Sequence, residues 1–60
     1  MKSSEFLRLL KRHGWYVVRQ TGSHMIMKHD LRTNELTFPY HGSKEIAKGL
    51  EMALRKQAGI

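Results

Sequence analysis

The sequence predicts a single α+β domain, residues 1–60, in which a three-stranded antiparallel sheet carries both helices on one face. Three observations lead to this fold class. Apolar residues recur at helical spacing near both ends of the chain, the middle is rich in aromatic and β-branched residues, and glycines or polar turn residues separate these segments. No repeat, linker or low-complexity tract interrupts the order αβββα.

The first predicted element is a helix that Ser3 or Ser4 can cap and that Gly14 ends. Glu5 lies in its first turn, where a carboxylate suits the positive end of the helix dipole. Its apolar side is formed by residues at helical spacing, namely Phe6, Leu9, Leu10 and His13.

Three strands are predicted in the middle of the chain, over Trp15–Gln20, Met25–His29 and Leu36–Phe38. The polar stretch Asp30–Glu35 between the last two is typical of a turn. Pro39 limits the third strand to an edge or an end of the sheet, because proline has no N–H to donate.

The second predicted helix begins after Gly42, with Ser43 as its cap, and ends at Gly59. Its apolar stripe consists of Ile46, Ala47, Leu50, Ala53 and Leu54. The free N–H groups at its start, together with Lys44, could form an anion site. A solvated Lys44 side chain is the plainer alternative.

The first two strands are joined by Gly22-Ser23, which suits a two-residue type II′ turn. Such a turn places Thr21 opposite His24, and the pairs beyond it are Gln20 with Met25, Arg19 with Ile26, Val18 with Met27 and Val17 with Lys28. Alternation then predicts a core face made of Tyr16, Val18, Met25 and Met27. The opposite face receives Arg19, His24, Ile26 and Lys28. A three-residue loop would separate apolar from polar side chains less well.

Eleven Lys and Arg against five Asp and Glu give a formal net charge of +6 and a pI near 10.2. Polyanions such as nucleic acids are natural partners of so positive a surface, and charge that merely keeps a small protein soluble is the plainer alternative.

The absence of cysteine excludes a disulfide framework and a cysteine-based zinc site. The N-terminal apolar run is too short for a signal peptide or a membrane span, so we expect a cytoplasmic protein with no membrane partner.

An exposed imidazole beside Arg19 and Lys28 could cleave a ribose phosphodiester. Histidine titrates near neutral pH, so His24 can take the proton of a 2′-hydroxyl or give one to the leaving oxygen, while the two cations hold the phosphate. For a lone exposed histidine the plainer interpretation is an ordinary surface residue. His24 and His29, the nearest histidine pair, point to opposite faces of one strand, so we do not expect them to share a metal. We expect no other cofactor.

Motifs spread along the chain favour the catalytic interpretation. They are Gly14-Trp15, Arg19, Gly22-Ser23-His24, Phe38-Pro39, His41, Lys44-Glu45-Ile46, Gly49 and Leu54-Arg55-Lys56-Gln57-Ala58-Gly59-Ile60. Taken in this order, from about Ser3 to the last residue, they resemble the HicA family of toxins, the RNA-cleaving halves of toxin–antitoxin pairs. The resemblance implies a fold like that of double-stranded-RNA-binding domains, in agreement with the αβββα order.

The resemblance also implies roles for individual residues. The histidine of the Gly-Ser-His motif is the family's catalytic residue, which corresponds to His24 here, with Gly22 and Ser23 as its supporting turn. His41 matches a family position where it could lie near phosphate, and a plain loop role is the alternative. Many members follow the catalytic histidine with a second histidine and then an aromatic residue, whereas this sequence has methionine at both places.

We therefore expect a toxin that cleaves mRNA as a metal-independent endoribonuclease, with His24 as general acid or base. Internal attack by the 2′-hydroxyl is the simplest route, and Arg19, Lys28 and Lys44 are expected to hold the RNA backbone. The family also implies a HicB-type antitoxin that covers the His24 face. Two other classes stay open: a non-catalytic RNA-binding module of the same fold, and a protein-interaction module, which leaves the positive charge unexplained.

Overall fold

A computed structural model describes all 60 residues and confirms the predicted order of elements. The elements are α1 (Ser3–Arg12), β1 (Trp15–Thr21), β2 (His24–His29), β3 (Leu36–Pro39) and α2 (Lys48–Ala58). The strands form one antiparallel sheet in the order β1-β2-β3, so β2 is the central strand. Neither helix is long and apolar enough to cross a membrane.

Both helices pack on one face of the sheet, as predicted. The buried core consists of Phe6, Leu10, Trp15, Met27, Leu36, Phe38, Leu54 and Ala58. The ring of Phe6 on α1 meets the ring of Phe38 on β3 edge to face, with centroids 5.5 Å apart. The Trp15 indole of β1 donates to the Ala58 carbonyl of α2 at 3.3 Å. These contacts tie each helix to a strand, and they leave the other face of the sheet without a helix.

The start of α1 differs from the prediction, because Lys2 occupies the N-cap position and neither serine caps the helix. The Ser3 N–H donates to the Lys44 carbonyl at 2.8 Å, and the Ser4 N–H donates to the Gly42 carbonyl at 2.8 Å. The first free N–H groups of the helix thus find carbonyls in the loop that follows β3. A serine side chain is not needed to satisfy them.

Ser3 instead anchors the β3–α2 loop, residues 40–47. Its side chain is buried, at 2% exposure, and its Oγ accepts the His41 N–H at 3.0 Å. Glu5 closes the same end of α1 by accepting the Lys2 N–H at 2.7 Å. The loop that follows β3 is therefore held against the first turn of α1.

Helix α2 begins at Lys48 rather than directly after Ser43, which is not its cap. Before it, the Ile46 N–H donates to the Met1 carbonyl at 3.0 Å within a short antiparallel bridge. This extended pairing keeps the backbone from turning helical earlier. Lys44 consequently lies outside α2, and the anion site predicted at the start of that helix is not formed.

Only part of the predicted α2 stripe is buried. Leu54 and the next residue on its side of the helix, Ala58, face the core, and Ile46 packs against it from the preceding loop. The rest of the predicted stripe is exposed: Ala47, Leu50 and Ala53. Burial is deepest in the C-terminal half of the helix, where the Ala58 carbonyl meets Trp15.

The hairpin between β1 and β2 has the predicted turn and the predicted register near it. Gly22 has a φ of 59°, the left-handed value that the first central position of a type II′ turn needs, and no other residue type has a positive φ. The first pairs are those expected: Thr21 with His24, Gln20 with Met25 and Arg19 with Ile26.

Beyond Arg19 the register shifts by one residue at a β-bulge. Val17 pairs with Met27, and Tyr16 pairs with Lys28, so the predicted pairs of Val18 with Met27 and Val17 with Lys28 are wrong. The bulge reverses the alternation at the start of β1. Trp15 enters the core, while Tyr16 and Val18, predicted as core residues, are 44% and 41% exposed. Burial of the larger indole, with its hydrogen bond to α2, favours this arrangement.

Candidate functional site

The side of the sheet opposite the helices is here called the open face. Cross-strand partners share a face, so the register identifies its members. They are Tyr16, Arg19, Thr21, His24, Ile26, Lys28, Thr37 and Pro39. Arg19, His24, Ile26 and Lys28 therefore share one face, as the hairpin register predicts.

His24 is the first residue of the central strand and is exposed. It lies between Thr21 of β1 and Pro39 of β3, neither of which is charged. The turn that precedes it is held from the β3 side, because the Tyr40 N–H donates to the Ser23 carbonyl at 2.7 Å. His24 thus stands at the end of the sheet on a supported backbone, with its imidazole open to solvent.

The two cations of the open face lie at different distances from His24. Arg19 pairs with Ile26, which makes it a diagonal neighbour of His24 at about 7–8 Å between backbones. Lys28 is four residues along β2, about 13 Å away. By backbone position Arg19 is therefore the nearer of the two cations to His24.

Glu35 lies between these cations, a contact that the sequence interpretation missed. Its carboxylate is 3.6 Å from the Arg19 guanidinium and 3.7 Å from the Lys28 ammonium. The contact follows from the β2–β3 register, because pairing of Leu36 with Met27 brings the preceding residue opposite Lys28. Glu35 therefore occupies the place where two cations would hold a phosphate.

A second carboxylate further reduces the positive charge of the open face. The Tyr16 hydroxyl donates to Asp30 at 3.1 Å, and this hydrogen bond raises the pKa of Tyr16 above its ordinary value. Asp30 and Glu35 thus balance Arg19 and Lys28. The prediction of a basic surface around the histidine needs this correction, because acidic groups from the β2–β3 turn offset the cations of the two strands.

The remaining predicted contacts, His41 and Lys44, lie in the β3–α2 loop and are exposed. Their backbones are joined, since the Lys44 N–H donates to the His41 carbonyl at 3.2 Å. His41 follows the His24 partner Pro39 by two residues, so it lies at the same end of the sheet.

The two remaining histidines, His13 and His29, lie away from His24. His29 Nε2 is 2.7 Å from the His13 carbonyl, and the Leu31 N–H donates to His29 Nδ1 at 3.0 Å, so both ring nitrogens of His29 are engaged by backbone groups. The His29 ring packs edge to face on Trp15, with centroids 5.3 Å apart. His24 and His29 do not meet, and no group of three or more His, Asp or Glu side chains is placed to hold a metal ion.

Comparison with known proteins adds a family to this geometry. Residues 3–60 match the sequence model of the family described as HicA toxin of bacterial toxin–antitoxin. A Pseudomonas fluorescens (strain Pf0-1) protein named probable mRNA interferase HicA is 43% identical over 60 residues, which cover 100% of this chain and 97% of that relative. Since both matches extend over almost the whole chain, the protein belongs to the HicA toxin family.

Proposed function

We propose that this chain is the toxin of a type II toxin–antitoxin pair and acts in the cytoplasm as a metal-independent endoribonuclease on mRNA. The observation that carries the proposal is the exposed His24 directly after the Gly22-Ser23 turn, in a chain of the HicA toxin family. The name of the Pseudomonas relative, probable mRNA interferase, supports the same substrate and reaction class.

In this proposal His24 is the general acid or base. Its imidazole takes the proton of the attacking 2′-hydroxyl or gives one to the leaving oxygen. Its cross-strand neighbours, Thr21 and Pro39, carry no titratable group, so proton transfer at this position of the sheet is assigned to His24. The absence of a helix from the open face supports access by an RNA strand.

The proposed backbone contacts come from both sides of His24. Arg19 is the nearest cation of the open face, and it offsets charge that develops on the phosphate. Lys28 contacts the backbone farther along β2, once the phosphate has displaced Glu35. His41 and Lys44 act from the β3–α2 loop, where both are exposed.

The proposed partner is a HicB-type antitoxin that covers the open face. The exposed Tyr16 and the half-buried Ile26 of this face support a protein partner, since aromatic and apolar side chains supply the contacts that a protein surface can bury. Covering this face would remove His24 from RNA, so bound antitoxin should stop cleavage.

The test compares His24→Ala with His13→Ala, which removes an imidazole at the other end of the molecule. We expect His24→Ala to abolish RNA cleavage and growth arrest while keeping the circular dichroism spectrum, and His13→Ala to keep both activities. A chelator should leave cleavage unchanged. Cleavage retained by His24→Ala would refute the assignment, and RNA binding without cleavage by the unmodified protein would favour a non-catalytic RNA-binding module instead.

A further inference from the structure

The surplus positive charge of this chain lies away from the open face. Ion pairs occupy Arg19 and Lys28 on that face and Arg55 on α2. The cations without an ion pair are Lys2, Arg8, Lys11, Arg12, Arg32, Lys44, Lys48 and Lys56. A polyanion that reaches His24 therefore gains most of its electrostatic attraction from the helix side of the molecule and from its loops.

Two of these cations line a groove beside α1. Arg8 and Lys11 are one turn apart, and both line a groove of about 240 Å³. Tyr40, from the β3–α2 loop, also lines this groove, and Ser4 and Leu7 of α1 complete the lining. The groove thus combines two free cations with an aromatic ring.

Tyr40 connects this groove to the His24 end of the sheet. Its N–H donates to the Ser23 carbonyl at 2.7 Å, and the preceding residue, Pro39, is the β3 partner of His24. The Cα atoms of Tyr40 and His24 are consequently within about 10 Å of each other. Alternation along β3 directs the Tyr40 ring to the helix side, so the groove begins where the open face ends.

We propose that this groove, formed by Arg8, Lys11 and Tyr40, binds the segment of a single-stranded RNA that flanks the phosphodiester at His24. This inference rests on the proposed function and extends its binding site around the end of the hairpin. Arg8 and Lys11 neutralise backbone phosphate, and the Tyr40 ring supplies a surface for a base or ribose. The groove offers unpaired cations, whereas a phosphate on the open face must first displace Glu35.

The test measures binding of a short fluorescein-labelled single-stranded RNA to chains that carry His24→Ala, which prevents loss of the probe to cleavage. In that background Arg8→Gln with Lys11→Gln should weaken binding about tenfold at low salt. The slope of log Kobs against log salt should become shallower by about 1.4, since each phosphate contact to a single strand contributes about 0.7. The matched control, Arg32→Gln with Lys56→Gln, removes the same charge beside the C-terminal end of α2 and should change both quantities less.

The outcomes separate this proposal from the nuclease assignment. Equal RNA binding by the groove variant and the control variant would overturn the groove while leaving cleavage by His24 intact. A groove variant that loses antitoxin affinity but keeps RNA affinity would also overturn it, because the groove would then be a protein contact. Weaker RNA binding by the groove variant would support the groove even if the unmodified chain did not cleave RNA. All four substituted side chains are exposed, so thermal unfolding should show unchanged stability.

Discussion

Replacement of Glu35 by glutamine should strengthen RNA binding. The carboxylate holds Arg19 and Lys28 from 3.6 and 3.7 Å, and an incoming phosphate must compete with it for both cations. Glutamine keeps the shape and the ability to accept hydrogen bonds, but it removes the negative charge. The change therefore isolates electrostatic competition from packing.

The size of the expected gain in RNA affinity follows from the exposed fractions of the three side chains, which are 60% for Arg19, 51% for Lys28 and 40% for Glu35. Exposed ion pairs are worth about 0.2–1 kcal/mol each. Relief of two pairs therefore increases RNA affinity by about 2-fold to 30-fold at low salt. The gain should shrink as salt rises, because these charges are screened beyond about 10 Å at 0.1 M.

Fluorescence anisotropy of labelled RNA, measured over a salt series with His24→Ala chains, checks this expectation. Glu51→Gln is the matched control, because it removes the same charge from α2, where Glu51 pairs with Arg55 at 3.0 Å. If Glu35→Gln weakened RNA binding relative to Glu51→Gln, Glu35 would be orienting the two cations for RNA, and the competition argument would be wrong.

Three further expectations concern the fold. Gly22→Ala should destabilise the chain by about 1–2 kcal/mol in urea unfolding, because φ is 59° and no atom lies within 4 Å of the added methyl, so only backbone strain acts; unchanged stability would contradict the turn geometry. Trp15→Phe should cost about 1–3 kcal/mol through lost volume and the lost hydrogen bond to Ala58, and a cost near zero would contradict its burial. The pKa of Tyr16 is raised in the folded state, so the protonated phenol stabilises the fold at neutral pH, and this stabilisation is lost as pH rises through the folded-state pKa. Asp30→Asn should lower the pKa of Tyr16 in a tyrosinate absorbance titration.

The fold could be predicted from the sequence because periodicity and turn residues agree along the chain. The order αβββα, the Gly22-Ser23 turn and the three pairs nearest to it were all available from local patterns. The errors arose where distant segments compete with local signals. Ser3 and Ser43 are good capping residues, yet carbonyls of the β3–α2 loop satisfy the start of α1, and pairing with Met1 delays α2.

The β-bulge is the clearest case of a feature that local patterns could not reveal. Strict alternation from the turn makes Tyr16 and Val18 core residues, and nothing in the strand itself opposes that interpretation. The indole of Trp15 gains burial and a hydrogen bond to α2 only when the register shifts. Because this benefit depends on Ala58, which lies 43 residues later in the chain, the pattern of the hairpin alone does not reveal it.

The candidate site was predictable in its residues more than in its electrostatics. The shared face of His24, Arg19 and Lys28 follows from turn type and alternation, and the role of His24 was suggested by the Gly-Ser-His motif. The two carboxylates could not be placed from the sequence, because Asp30 and Glu35 lie at the two ends of the β2–β3 turn and their contacts depend on how the strands pair.

The distance between His24 and the cations predicts how substitutions should divide between chemistry and binding. Arg19 is a diagonal neighbour of His24, Lys28 is about 13 Å away along β2, and Arg8 lies in the groove beside α1. Cations that bind the RNA at positions distant from the reacting phosphate stabilise the bound substrate and the transition state equally. Lys28→Gln and Arg8→Gln should therefore raise KM with little change in kcat. Arg19→Gln should also lower kcat, because Arg19 is the open-face cation nearest to His24 and can meet charge that develops on the phosphate. Initial-rate kinetics on one RNA substrate measure this division. A large fall in kcat for Lys28→Gln at unchanged KM would mean that Lys28, at the far end of the open face, contributes to the chemical step. The assignment of RNA binding and of chemistry to separate parts of the sheet would then be wrong.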